Sequence, residues 1–266
     1  MREIQVESTI DGTAQPSLYW EPQEGGPAQA PVPVPLVVGL HTWSYDRFNQ
    51  RDNYLPLCRE WGFALLLPEF RGPNLAGTPR AAQACGSAVA VQDVLDAVEW
   101  VCARQPVDRG RVFLLGCSGG GHMALLAAAA APSTFHAVEL WCPVSDLAAW
   151  HQWLGGGSDE LQRYQRDLEA CLGGTPGERP DEYARRSPVS HAGRLRGLPV
   201  SIHHGKHDDV VPYRHSLELA RRLEAAGNER VYLDVFDGGH EQLPAHSFEW
   251  FAKLAGAGAG AVGITG

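Results

Sequence analysis

The residues most suited to chemistry lie between Arg111 and Ala131, RVFLLGCSGGGHMALLAAAAA. An apolar run leads into Gly116-Cys117-Ser118-Gly119-Gly120, and an alanine-rich segment begins at once. This is a G-x-S-x-G pattern in the strand, turn, helix setting that gives it meaning. A turn this sharp strains the serine backbone, and side chains two residues to either side would collide, hence glycine there. Ser118 would project above a sheet at the amino end of a helix, whose free N–H groups favour negative charge developing nearby. The implied chemistry is nucleophilic attack on an acyl carbonyl; without partners the pentapeptide is only a tight corner.

A serine hydroxyl needs a base within reach and a third group to orient that base. On this kind of sheet the partners follow in the order serine, acid, histidine, which sets His41 aside. His122 falls in the nucleophile's own helix, and His215 and His246 fall in later ones. His240 instead follows an apolar run and the turn Asp237-Gly238-Gly239, where loops at the carboxyl end of a sheet gather functional groups. For the acid, Asp208 and Asp209 come directly after the run Pro199 to His203, and Asp146 follows Ala137 to Trp141; position alone leaves all three open. His203, His204, His207, Asp208 and Asp209 crowd together, but adjacent strand residues face opposite ways and no zinc-ligand spacing is present. No metal and no cofactor is expected. Oxyanion donors should be the amide of Gly119 and that of Trp43 or Thr42, in the loop after Leu36 to Leu40. Trp43, Cys117, Trp150 and Trp153 are the candidate substrate-binding residues, flat aromatic surfaces suiting sugars or aromatic acyl groups.

The elements that must position these groups alternate in type. Leu36 to Leu40, Phe63 to Leu67, Val112 to Leu115, Ala137 to Trp141, Pro199 to His203 and Val231 to Phe236 read as buried strands. Helical candidates are Arg47 to Glu60, Ala90 to Cys102, Gly119 to Ala131, Tyr213 to Ala226 and Pro244 to Leu254. Such alternation implies an α/β fold, a mostly parallel sheet with helices on both faces. Glu3 to Ser8 and Ser17 to Glu21 would add an antiparallel pair at one edge, and the proline-rich stretch Pro22 to Pro35 an extended connection. Residues 147–188 break the rhythm with short helical pieces around Glu160 to Leu172 and Pro180 to Arg185, a possible lid. One domain over residues 1–256 and a flexible Gly/Ala-rich tail over 257–266 are expected.

Composition removes other classes. The 266 residues carry 22 basic and 31 acidic side chains, net −9, with no basic stripe, so no nucleic-acid partner is expected. No apolar run is long enough to cross a membrane and the first residues contain no signal-like stretch, pointing to a cytoplasmic protein without a membrane partner. The six cysteines are widely spaced and read as reduced thiols. Oligomeric state leaves no mark.

With these residues assembled, the chain resembles the catalytic domain of prolyl oligopeptidase-like serine hydrolases in the α/β-hydrolase superfamily, over roughly Pro35 to Trp250. The resemblance rests on LLLPEFRGPN (residues 65–74), GCSGGG around Ser118, HGKHDDVVP from His204 to Pro212, and GGH ending at His240. It implies an α/β-hydrolase fold of about eight strands and assigns the acid to Asp208. One departure is His41-Thr42-Trp43 where many relatives have glycine after the histidine. Another is length, since 266 residues leave no room for the β-propeller of the oligopeptidases. That shifts the expectation toward an esterase acting on small-molecule esters through an acyl-enzyme on Ser118. The alternatives are an exo-acting peptidase or acylaminoacyl hydrolase, and a non-enzymatic binding module.

Overall fold

The computed structural model describes residues 1–22 and 32–256. Most of the proline-rich connection and the expected flexible tail, 257–266, lie outside the described residues.

Eight strands form one sheet: β1 (Arg2–Glu7), β2 (Ala14–Trp20), β3 (Val34–Leu40), β4 (Ala64–Pro68), β5 (Val107–Cys117), β6 (Ala137–Trp141), β7 (Val200–Gly205) and β8 (Val231–Phe236), in spatial order β1-β2-β4-β3-β5-β6-β7-β8. The first two are antiparallel additions at one edge, and β4 through β8 with β3 run parallel. This is the α/β-hydrolase architecture expected from the sequence. The central strands β3 and β4 read as continuous apolar runs because both faces are covered, and β6 is broken only by the buried Glu139. β8 departs from that pattern. It is as apolar as the others, yet as the terminal strand it leaves Tyr232, Leu233 and Val235 exposed.

On one face lie α1 (Arg51–Trp61) and α8 (Pro244–Leu254), whose Tyr54, Cys58, Phe248 and Phe251 pack on Leu65, Phe113 and Trp141. On the other lie α2 (Ala88–Arg104), α3 (Gly119–Ala130) and α7 (Arg214–Ala225). The Ser87 hydroxyl caps α2 by accepting from the Ala90 amide, and Val94, Ala97, Val98 and Val101 form its buried stripe. α1 starts later than its apolar periodicity suggests. Residues 46–50 instead form turns, which frees Asn49 and Gln50 from the helix.

Residues 147–188 contain three helices, not two: α4 (Leu147–Gly155), α5 (Asp159–Leu172) and α6 (Pro180–Arg185). The signals for α4 were present, an Asp146 cap accepting from the Ala148 and Ala149 amides and buried residues at 147, 150 and 154. The segment builds its own apolar cluster, Leu147, Trp150, Leu154, Leu168 and Tyr183, which continues onto Trp43 and Val211.

After β4 the chain makes a turn in which Phe70 and Arg71 both have positive φ, 38° and 75°. Such strain persists only where surroundings over-determine it. The Arg71 guanidinium is fully buried and pairs with Asp93 at 2.5 Å and Asp11 at 2.8 Å, with Ser8 Oγ accepting at 2.9 Å. Deleting one member of a buried pair strands the other charge. Arg71→Ala is expected to lower unfolding free energy by about 3–5 kcal/mol in urea denaturation, whereas Arg109→Ala, which breaks an exposed pair with Glu99, should leave the denaturation midpoint nearly unchanged.

Candidate active site

Ser118 sits between the end of β5 and the start of α3, with φ 56° and ψ −120°, a conformation rarely adopted by a residue with a Cβ. Its amide donates to Trp141 O at 2.8 Å, tying the turn to β6, and its carbonyl accepts from the His122 amide as α3 begins. A Cβ at Gly116 would lie 2.3 Å from Gly120 O, and one at Gly119 would lie 2.8 Å from the Trp43 amide nitrogen. The glycines therefore allow two approaches, the turn upon itself and the loop after β3 upon the turn.

That loop is held from outside. Thr42 N–H donates to Asn49 Oδ1 at 3.0 Å, Asn74 N–H donates to Trp43 O at 2.8 Å, and His41 stacks on Phe70 with ring centroids 3.9 Å apart. Thr42 has an ordinary negative φ, so the missing glycine costs the backbone nothing. The Trp43 amide donates to no acceptor among the described residues and lies beside Gly119. Of the two sequence candidates for a second oxyanion donor, Thr42 is thus occupied and Trp43 is free.

His240 and Asp208 come from the loops after β8 and β7. His240 Nδ1 donates to Asp208 Oδ2 at 2.7 Å, which leaves Nε2 for the cleft that His240 and Ser118 both line. Asp208 is buried and fully subscribed. Oδ1 accepts from the Val210 and Val211 amides at 2.9 and 2.8 Å, and Oδ2 also accepts from His204 Nε2 at 3.1 Å. The latter nitrogen shares its proton with Val211 O, so His204 Nδ1 accepts from the Ser216 hydroxyl at 2.7 Å. Burial opposes the Asp208 charge, but the hydrogen bonds from His204 and His240 outweigh it and hold the carboxyl below the usual range. Asp209 is exposed, and Asp146 caps α4.

Cys142, His204 and Asp208 offer the one grouping of metal-type donors among the described residues. Each atom already serves a neighbour: the two His204 nitrogens are bonded as above, and the Cys142 thiol, pushed up to about 12 by burial, donates toward Glu241 O. His122 is buried in α3 with Nε2 on Arg186 O, pushed down to about 4 by burial.

The cleft over Ser118 has a volume of about 300 Å³ and two unlike walls. Trp43, Trp150 and Tyr164 form the aromatic one, Trp43 meeting Trp150 edge-on at 4.7 Å. Facing it is a chain of carboxamides: Gln50 donates to Asn49, and Asn53 and Gln242 both donate to Gln50 Oε1, at 3.1, 3.1 and 2.8 Å. Cys117 also lines the cleft. Trp153 does not. Three residues beyond Trp150 on α4, it is 45% exposed, donates to Asp209 O and borders a different cavity. Tyr164 and the carboxamides escaped sequence reasoning, because nothing local to 49–53 or 164 marks a site.

Comparison with known proteins gives a consistent answer. The chain is 28% identical over 170 residues to the uncharacterized peptidase YtmA of Bacillus subtilis, covering 61% of this chain and 59% of that one. It is 30% identical over 202 residues to the acylamino-acid-releasing enzyme of Sus scrofa, covering 72% of this chain and 26% of the enzyme. Esterase LipC of Mycobacterium tuberculosis is 26% identical over 162 residues, 56% of this chain and 40% of LipC. The chain therefore spans between about a quarter and three fifths of these relatives. Among solved structures, a puromycin-hydrolyzing peptidase from Mycobacterium tuberculosis superposes with a TM-score of 0.73 over 96% of this chain and 38% of its own at 22% identity, a likeness of fold. The model of the prolyl oligopeptidase family matches residues 49–257, a span that takes in the serine turn, the aspartate loop and the histidine loop, and the chain belongs to that family of serine hydrolases.

Proposed function

We propose that the chain hydrolyses small carboxylic esters through an acyl-enzyme on Ser118. The observation that carries this is the 2.7 Å contact of Asp208 with His240 at the edge of the cleft that Ser118 lines. In this reading Ser118 Oγ attacks the carbonyl carbon as His240 Nε2 takes its proton. Asp208, kept ionised by its four donors, fixes the ring tautomer and stabilises the imidazolium. Charge on the carbonyl oxygen is met by the amides of Gly119 and Trp43, with the α3 dipole behind them. Collapse expels the leaving alcohol, which takes the proton from His240. Water, deprotonated in turn by His240, then attacks the acyl-enzyme; collapse expels Ser118 Oγ, which takes that proton back from His240, and releases the acid.

An acyl group would meet only the edges of Trp43 and Trp150, both nearly fully buried, and the small cleft favours compact substrates. A second reading is cleavage of acylaminoacyl or aminoacyl amides. It is favoured by the carboxamide wall, whose Asn49 and Asn53 ends suit a peptide unit, and by relatives named as peptidases and acylamino-acid-releasing enzymes. The two are separated by kcat/KM on p-nitrophenyl acetate and butyrate against alanyl and acetyl-alanyl p-nitroanilides. The ester reading expects the esters to be turned over faster; faster anilide turnover sinks it.

Ser118→Ala should cut kcat by roughly 10⁶-fold, the scale for loss of a triad nucleophile, and abolish fluorophosphonate labelling while leaving the circular dichroism melt unchanged. Asp208→Asn should lower kcat about 10⁴-fold by fixing the wrong His240 tautomer, and Asp209→Asn should leave it nearly intact. The reverse ranking in steady-state assays would place the acid at 209.

A further inference from the structure

A second cavity, of about 850 Å³, lies on the other side of the loop that carries Asp208. Val210 and Trp150 face the Ser118 cleft, whereas Pro212, Tyr213 and Trp153 face this one. Its volume is within the range of small-molecule sites, about 300–1,000 Å³. Trp153 and Tyr213 supply flat apolar surface, and the Trp153 ring is pinned by its bond to Asp209 O at 3.3 Å.

The charges around it are unevenly engaged. Lys206, directly after β7, and Arg214, the first residue of α7, both border the cavity, and neither forms an ion pair or side-chain hydrogen bond among the described residues. Three acids border it too, but each is already committed. Asp146 accepts from two α4 amides, Asp208 from two amides and two histidines, and Glu218 from Arg221 and Arg222 at 2.9 and 2.6 Å. His215, buried at the cavity wall, is pushed down to about 4 by burial and adds no charge at neutral pH. The two cations thus have donors left to offer, beside carboxylates that already accept hydrogen bonds.

We propose that this cavity is a binding site, separate from the Ser118 cleft, for a small aromatic anion whose ring lies against Trp153 and Tyr213 and whose carboxylate is held by Lys206 and Arg214. An aromatic ring suits the two flat side chains, and a carboxylate is the complement of an arginine fork beside an ammonium group. The proposal stands whether the Ser118 cleft cleaves esters or amides.

Isothermal titration calorimetry with 1-naphthoate tests it, with 1-naphthalenemethanol as the neutral analogue. The expected result is binding of naphthoate to the Ser118→Ala protein and to enzyme whose Ser118 has been blocked with a fluorophosphonate, with the neutral analogue weaker by about tenfold. Affinity should fall as salt is raised. The Lys206→Ala/Arg214→Ala double variant and, separately, Trp153→Ala should each weaken naphthoate by about tenfold or more; all three residues are exposed, and unchanged melting curves would show that the variants fold. The proposal is overturned if naphthoate does not bind at millimolar concentration, binds no better than the neutral analogue, binds the variants as well as the parent, or is displaced by blocking Ser118.

Discussion

The Asp208 carboxylate is buried at the carboxyl end of β7, and a buried ionised carboxylate is tolerated only when its lone pairs are filled. Four donors converge to fill them: two amides of its own loop, His204 from within β7, and His240 from the loop after β8. His204 is in turn fixed by Ser216 on α7. One charge thus organises a strand, a helix and two loops. The orientation of His240 follows from filling the last of these positions, with no separate device to hold the ring.

A second constraint acts at Ser118. Its backbone strain, of order 1–3 kcal/mol, is held by the bond to Trp141 O and by the start of α3. Opposite it, the loop after β3 needs no glycine because its shape is imposed by Asn49, Asn74 and the stacked His41–Phe70 pair. The Phe70–Arg71 turn that supplies part of this support is itself strained and is anchored by the buried Arg71–Asp93–Asp11 cluster. Strain near the cleft is therefore offset by ion pairs some way from it, which connects a stability determinant to the geometry of the loop after β3.

The parallel strands are the most legible part of the sequence. β6 and β8 coincide with their expected bounds, β3, β4 and β7 differ by one or two residues at an end, and β5 begins five residues before and ends two after its expected run, since residues 107–111 are too polar to read as part of a buried strand. The environment of a strand was less legible, since β8 has the composition of a central strand but lies at an edge. The motif around Ser118 and the position of His240 could be read locally. The choice among Asp146, Asp208 and Asp209 comes only through the family resemblance at residues 204–212, because position alone does not say which carboxylate meets a histidine 32 residues on. The same holds for Thr42 and Trp43: the availability of an amide was decided by Asn49, left outside α1. Trp153 lies one turn along the same helix from Trp150, on a neighbouring part of the helix surface, yet it borders a different cavity, a division that no local pattern marks.

The segment 147–188 does more than fill a gap between β6 and β7. Its apolar cluster includes Trp43, the residue whose amide faces Gly119, and Val211, whose amide bonds Asp208. Trp150 touches both sides, packing edge-on against Trp43 and donating to Val210 O at 3.0 Å. A large side chain that bridges the loop after β3 and the loop after β7 transmits displacement of either to the other, because close-packed interiors have little slack. The positions of the two loops and of the aromatic side chains between them are consequently one mechanical problem. The insertion that interrupts the strand–helix rhythm is the part of the chain that couples them.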